Sequence, residues 1–217
     1  MTEANQLPVI FVDDDGDYSG QLIKGTRLKF VDKLWTAADG TPLHENDQHL
    51  AAGTGHAFQR WVNGLPEVIT EKPLPDLDAL NAAIPKAEWP IGKFSGQPEA
   101  PWKHVWYVYL VRMGDGALFT SINSTSGQKV AYIRLKERIN TMSVLRGVPV
   151  LPIVKLRWAM MPSAYGPRPR PDFAIDEFRN FGSDQPAQIA SPKQAEKIGK
   201  PVSEPSLKEE LDDEIGF

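Results

Sequence analysis

A mainly β fold, a five-stranded barrel with one main helix, is what this sequence predicts, and three features carry the prediction. Two β-rich runs, KHVWYVYLV and ALFTSINS, flank Gly114-Asp115-Gly116, a turn signal that makes them a hairpin. One long stretch, GQKVAYIRLKERINTMSVL, repeats apolar residues at helical spacing through Ala131, Leu135, Ile139 and Met142. Runs with period-two alternation lie before and after these two elements.

In chain order, residues 1–19 hold five acids and no Lys or Arg, an acidic lead. QLIKGTRLKFVDKLWTA then alternates as a strand, with Leu28, Phe30 and Leu34 on one face and Arg27, Lys29, Lys33 and Trp35 on the other. From about residue 37 to 101 the pattern is mixed and rich in Gly and Pro, with short helices expected in HLAAGTGHAFQRWVNG and around DLDALNAAI. That stretch reads as a long insertion after the first strand, and its length implies that it packs on the core or serves function.

In the hairpin, Trp106, Val108 and Leu110 share a face assigned also to Leu118 and Ile122, while Tyr107, Tyr109, Phe119, Ser121 and Asn123 take the opposite one. Ser124, Thr125 or Ser126 caps the following helix and Gly147 ends it. VPVLPIVKLRWAMM is a strand with Val154, Leu156 and Trp158 inward and Lys155 and Arg157 outward, its start placed at an edge by Pro149 and Pro152. After Tyr165-Gly166-Pro167, RPRPDFAIDEF supplies the last strand. Residues 181–208, poor in large apolar side chains, are expected to be a disordered linker, and residues 209–217 an acidic tail. The domain therefore spans residues 20–180, and its order of strand, insertion, two strands, helix and two strands matches an OB-fold.

The 217 residues are 41% hydrophobic, enough for a packed core. The lack of cysteine excludes disulfides, thiolate zinc sites and Cys nucleophiles. No apolar run reaches membrane-spanning length and the N-terminus lacks the pattern of a secretory signal. A cytoplasmic location without a membrane partner is expected, which removes any glycosylation meaning from Asn123-Ser124-Thr125. The net charge of −4 conceals a segregation: residues 101–180 carry 12 Lys plus Arg against 5 acids, whereas residues 181–217 carry 4 against 8. An anionic partner for the basic middle follows.

The positions assigned outward collect Arg27, Lys29, Lys33, Trp35, Tyr107, Tyr109, Phe119, Lys155 and Arg157, so cations alternate with aromatic rings. Single-stranded nucleic acid asks for that combination, because its phosphates need cations and its unpaired bases stack on aromatic faces. A duplex hides those faces. A one-residue slip in register would exchange Trp106 and Trp158 into the outward set. Arg168 and Arg170, spaced by prolines in YGPRPRP, project from a stiff loop as further phosphate clamps.

The chain closes with Asp212-Asp213-Glu214-Ile215-Gly216-Phe217. This end resembles the terminal signature of bacterial single-stranded-DNA-binding proteins, in which three acids precede Ile-Pro-Phe after a flexible linker; Gly216 stands where that family has proline. The resemblance implies that Phe217 and its carboxylate, with Ile215 and the acids, enter a basic-rimmed apolar pocket on replication, recombination and repair proteins. Physically, an aromatic anchor supplies burial and the acids supply steering. The long insertion and a linker that is not Gly/Gln-rich make the arrangement similar to the single-stranded-DNA-binding proteins that phages and prophages encode. A homo-oligomer is compatible with this expectation, and no cofactor is implied.

Other chemistries fit less well. Asp13, Asp15 and Asp17 begin like a calcium loop, but Tyr18 and Lys24 stand where Gly and Glu are needed. His44, Asp47, His49 and His56 have no closed tetrahedral spacing for zinc. STSGQK lacks the glycine and the Gly-Lys-Ser/Thr end of a phosphate loop, and no Gly-x-Ser-x-Gly elbow occurs. Asp76 and Asp78 serve a helix cap as readily as acid–base work. The expectation is a non-catalytic protein, with an adaptor that binds no nucleic acid, or a metal-dependent nuclease, as alternatives.

Overall fold

The computed structural model describes residues 22–92, 95–164 and 166–181; the acidic lead of residues 1–19, the expected linker of residues 181–208 apart from Phe181, and the acidic tail of residues 209–217 lie outside them. The described chain is mainly β. Its strands are β1 (Thr26–Val31), β2 (Leu34–Ala37), β3 (Gln48–Val62), β4 (Leu65–Ile69), β5 (Lys103–Arg112), β6 (Leu118–Asn123), β7 (Val150–Met161) and β8 (Arg168–Asn180), with helices α1 (Leu77–Ala82) and α2 (Ser126–Arg146). All eight strands join one sheet in the order β2-β1-β6-β5-β3-β7-β8, with β4 paired to β3 beside that path. Every pairing is antiparallel except that of β1 with β6.

Local chemistry accounts for the elements expected from sequence. The hairpin of β5 and β6 turns through Asp115, whose carboxylate accepts the Ala117 N–H, and through Gly116 at φ 73°. Thr125 caps α2 by accepting from the Gln128 N–H, and Gly147 ends it at φ 66°, the left-handed conformation that glycine adopts without a Cβ penalty. Asp76 caps α1 through the Asp78 N–H, so these two carboxylates belong to a helix start.

One expected helix is a strand. HLAAGTGHAFQRWV forms most of β3, the longest strand of the sheet, lying between β5 and β7 inside the stretch read as an insertion. Its small residues answer a packing demand: Gly55 lies against the Tyr107 ring and Gly53 against Tyr109, where a Cβ would intrude.

The sheet curls around a core to which β1, β2, β3, β5, β6, α2, β7 and β8 all contribute, including Leu28, Trp35, Leu110, Phe119, Leu135, Ile139, Val154 and Phe173. Strands of period two have a second face, and in β3, β5 and β6 that face is covered as well. Leu22 packs there with Ala57, Val105 and Ile122, joined by Ile23, Val68 and Tyr107. The Lys24 N–H donates to Thr120 Oγ1 at 2.8 Å, and that hydroxyl donates to the Lys24 carbonyl at 2.6 Å. The Tyr109 hydroxyl donates to the Leu22 carbonyl at 3.1 Å. Residues 22–24 therefore form a strap across the face that sequence alternation assigns to solvent.

Candidate nucleic-acid interface

Where the strap ends, two cavities open side by side and share Ile122 and Asn123 as a common wall. The first, about 340 Å³, is lined by Arg27 of β1, Gln59 and Trp61 of β3, Lys103 of β5 and Ile23 of the strap, among others. The second, about 400 Å³, lies at the start of α2 and is lined by Phe30, Ser126, Gln128, Met161 and Arg168, among others. No carboxylate lines either cavity among the described residues. The first cavity thus has the exposed indole of Trp61 with Arg27 and Lys103 on its walls, and the second, beyond Ile122 and Asn123, has Arg168.

Each wall has a local cause. Trp61 stands at the end of β3, held outward by a two-residue turn in which Asn63 and Gly64 both take positive φ and Val62 pairs with Leu65. Next to it, Arg60 stacks 4.8 Å over Trp102 and binds Glu67 at 2.6 Å, which fixes the strand end and leaves Trp61 58% exposed. Arg27 is exposed on β1. The Lys103 ammonium meets Glu99 at 2.7 Å, an exposed pair that a phosphate can compete for at small cost. Thr125 and the first turn of α2, Ser126 to Gln128, line the second cavity, at the positive end of the helix dipole. Gly127 lets that turn approach Arg170 Cβ closely.

Of the residues assigned outward from sequence, Arg27, Lys29, Lys33 and Arg168 are exposed and Tyr107, Lys155 and Arg157 are half-buried. Four assignments are corrected. Trp35 is buried because it pairs with Phe30 across a turn at Asp32 and Lys33, which resets the alternation. Tyr109 is buried under the strap that accepts its hydroxyl proton. Phe119 is buried because β6 pairs Phe119 with Leu110 and Ile122 with Tyr107, opposite to the expected facing. Arg170 is 1% exposed and bound to the Pro171 carbonyl and Asp172, so it is no loop clamp. Conversely Trp158, expected inward, is 41% exposed, and Lys33 Nζ sits 4.7 Å over its ring.

The remaining cations are engaged locally: Lys29 donates to the Ala38 carbonyl, Lys155 pairs with Asp176, whose carboxyl it holds below the usual range, and Arg157 pairs with Glu45. Trp61, Lys103, Gln59 and Asn123 were missed as site residues. A signal for Trp61 was present in WVNGL, whose Asn-Gly is a hairpin turn.

A third concavity, about 360 Å³, lies between β3, β5 and α2 and is lined by His56, His104, Trp106, Tyr132 and Lys136, among others. His56 Nδ1 and His104 Nε2 are 3.0 Å apart, so one ring donates to the other. Burial, then the neighbouring His104, pushes His56 down to about 4. Burial pushes the Tyr132 hydroxyl up to about 12. His44 is exposed in a loop and His49 is fully buried, so the histidines do not converge. Among the described residues no group of three or more His, Cys, Asp or Glu is arranged to hold a metal ion, and no helix is long and apolar enough to cross a membrane.

Comparison with family models, with curated proteins and with solved structures found no match to this chain.

Proposed function

We propose that the chain is a non-catalytic single-stranded-DNA-binding protein of the OB type, acting in phage or prophage replication, recombination and repair in the cytoplasm. The order β6-β5-β3-β7-β8, with α2 between β6 and β7, supports the OB reading. In that connectivity β3 is the long first strand of the barrel, pairing with β5 along most of its length and with β7 at Gln48–Leu50. The β1–β2 hairpin then stands between the two ends of the barrel sheet, paired to β6 and reaching β7 and β8 through Trp35.

The observation that carries the function is the pair of adjoining cavities whose described lining residues include no carboxylate, with the exposed indole of Trp61, Arg27 and the Glu99-paired Lys103 at the first and Arg168 at the second. Phosphates track the cations and an unpaired base stacks on Trp61, a contact tolerant of sequence because every base has a π face. Duplex hides its base faces and gains only the phosphate contacts. The terminal acids with Ile215 and Phe217 recruit partner proteins in this reading, by an aromatic anchor steered by charge.

The test is fluorescence anisotropy of the full chain with labelled oligo-dT and a matched duplex at two salt concentrations. Salt-sensitive preference for the single strand is expected. Absence of binding, or equal binding to both, overturns the proposal; no binding at all leaves a tail-bearing adaptor.

A further inference from the structure

The first described residues of the chain border the first cavity. Ile23 of the strap lines the 340 Å³ cavity, and Leu22 packs with Val105 and Ile122, which line it too. The residues before Leu22 are MTEANQLPVIFVDDDGDYSGQ, an apolar run followed by four aspartates, with no Lys or Arg. The cavity offers the complementary set: Arg27 and the exposed, Glu99-paired Lys103 for carboxylates, Trp61, Val105 and Pro101 for apolar side chains, and no carboxylate among its described lining residues. Reach is sufficient. Asp17 stands five residues before Leu22, roughly 17 Å of extended chain, and Asp13 nine residues before it, roughly 30 Å.

We propose that the acidic N-terminal lead, residues 1–19, docks in the Trp61–Arg27–Lys103 cavity and competes with nucleic acid for it. Carboxylates of Asp13 to Asp17 take the places of phosphates and an apolar side chain of the lead covers Trp61. The covalent link gives the lead a high local concentration, so a weak contact suffices to hold the site. Exposed ion pairs of this kind weaken with salt, as does phosphate binding, and nucleic acid displaces the lead by supplying both more charge and stacked bases. The docking rests on the cavity and the lead alone; only the competition rests on the nucleic-acid reading above.

The test uses the full chain. It has no cysteine, so Ala4→Cys takes a single oxazine dye that is quenched on contact with tryptophan. Quenching at low salt is expected, relieved by Trp61→Phe but not by Trp158→Phe, by neutralising the lead (Glu3→Gln with Asp13, Asp14, Asp15 and Asp17→Asn), and by high salt. Oligo-dT should also relieve it, and the neutralised-lead chain should bind oligo-dT on the order of tenfold more tightly at low salt. A dye unquenched in the parent, or quenched equally in Trp61→Phe, overturns the docking. Relief on neutralising the C-terminal acids instead of the lead overturns it in favour of the tail as occupant. Docking as expected, with oligo-dT neither binding nor relieving the quench, leaves the lead docked and removes the nucleic-acid reading.

Discussion

The indole Nε1 of Trp35 donates a 2.7 Å hydrogen bond to the backbone carbonyl of Arg157, and its ring lies 5.7 Å from that of Phe173. Trp35 belongs to the strand at one end of the sheet and Phe173 to the strand at the other. This side chain therefore links the two terminal strands of the sheet across the shared core. Trp35→Ala is expected to lower unfolding free energy by about 3–5 kcal/mol, the range for emptying a buried aromatic site. Trp35→Phe keeps most of the packing and orphans the carbonyl, so a loss of about 1–3 kcal/mol is expected. Urea midpoints of the two variants check the order, and equal midpoints for Phe and Ala would show that the hydrogen bond, not the packing, carries the stabilisation.

How far the sequence revealed this fold depended on whether a signal was local. The Gly114–Gly116 turn, the Thr125 cap and the Gly147 stop each act within a few residues, and β5, β6 and α2 stand where they place them. The long β3 was misread because Ala51, Ala52, Gly53, Gly55 and Ala57 carry little strand propensity. Their reason is non-local: Tyr107 and Tyr109 on the neighbouring strand need the space. Facing was lost in two ways. The turn at Asp32 and Lys33 put Trp35 back in register with Phe30, and the strap of Leu22–Lys24 buried a second face that alternation assigns to water. Trp61 was legible in principle, since Asn63-Gly64 marks the hairpin that displays it.

Gly55→Ala tests the glycine–tyrosine fit. A Cβ there would fall well inside contact distance of the Tyr107 ring, on a face closed by Ile122 and the strap. Overpacking of this kind costs about 1–3 kcal/mol. Tyr107→Ala should remove most of that penalty in the double variant, so a coupling of about 1 kcal/mol or more is expected from a cycle of urea midpoints. Strict additivity would mean that the ring swings aside freely and that β3 carries its glycines for another reason.

The His56–His104 pair makes stability depend on acidity. His56 has a folded value of about 4, set first by burial and then by the charges of His104, Lys72 and Lys136, against an ordinary value of 6.5. His104 is also pushed down, by burial and Lys129. Between the folded and unfolded values the unfolded chain binds the extra proton, so stability rises with pH there and falls as pH drops from 6.5 through about 4. The urea midpoint should be lower at about pH 4.5 than at about pH 7, and His56→Gln should lessen that difference. An undiminished difference in His56→Gln would assign the acid sensitivity to other groups.

Stacking and phosphate contacts at the two cavities should separate by their response to salt. Trp61 offers a face and no charge, so Trp61→Ala is expected to weaken oligo-dT binding by about 1–3 kcal/mol at every salt concentration and to leave the slope of log affinity against log salt unchanged. Arg27→Gln and Arg168→Gln each remove one cation lining one of the two cavities, so each should reduce that slope by about 0.7, the single-strand value for one phosphate contact. Tyr109→Ala and Phe119→Ala behave differently, because both rings are buried and one holds the strap: they should lower the urea midpoint, with any loss of binding following the loss of folded protein. The salt titration of all five variants, read beside their unfolding curves, decides between this division and a diffuse basic surface. A diffuse surface would give slopes unchanged by Arg27 and Arg168 and an affinity indifferent to Trp61.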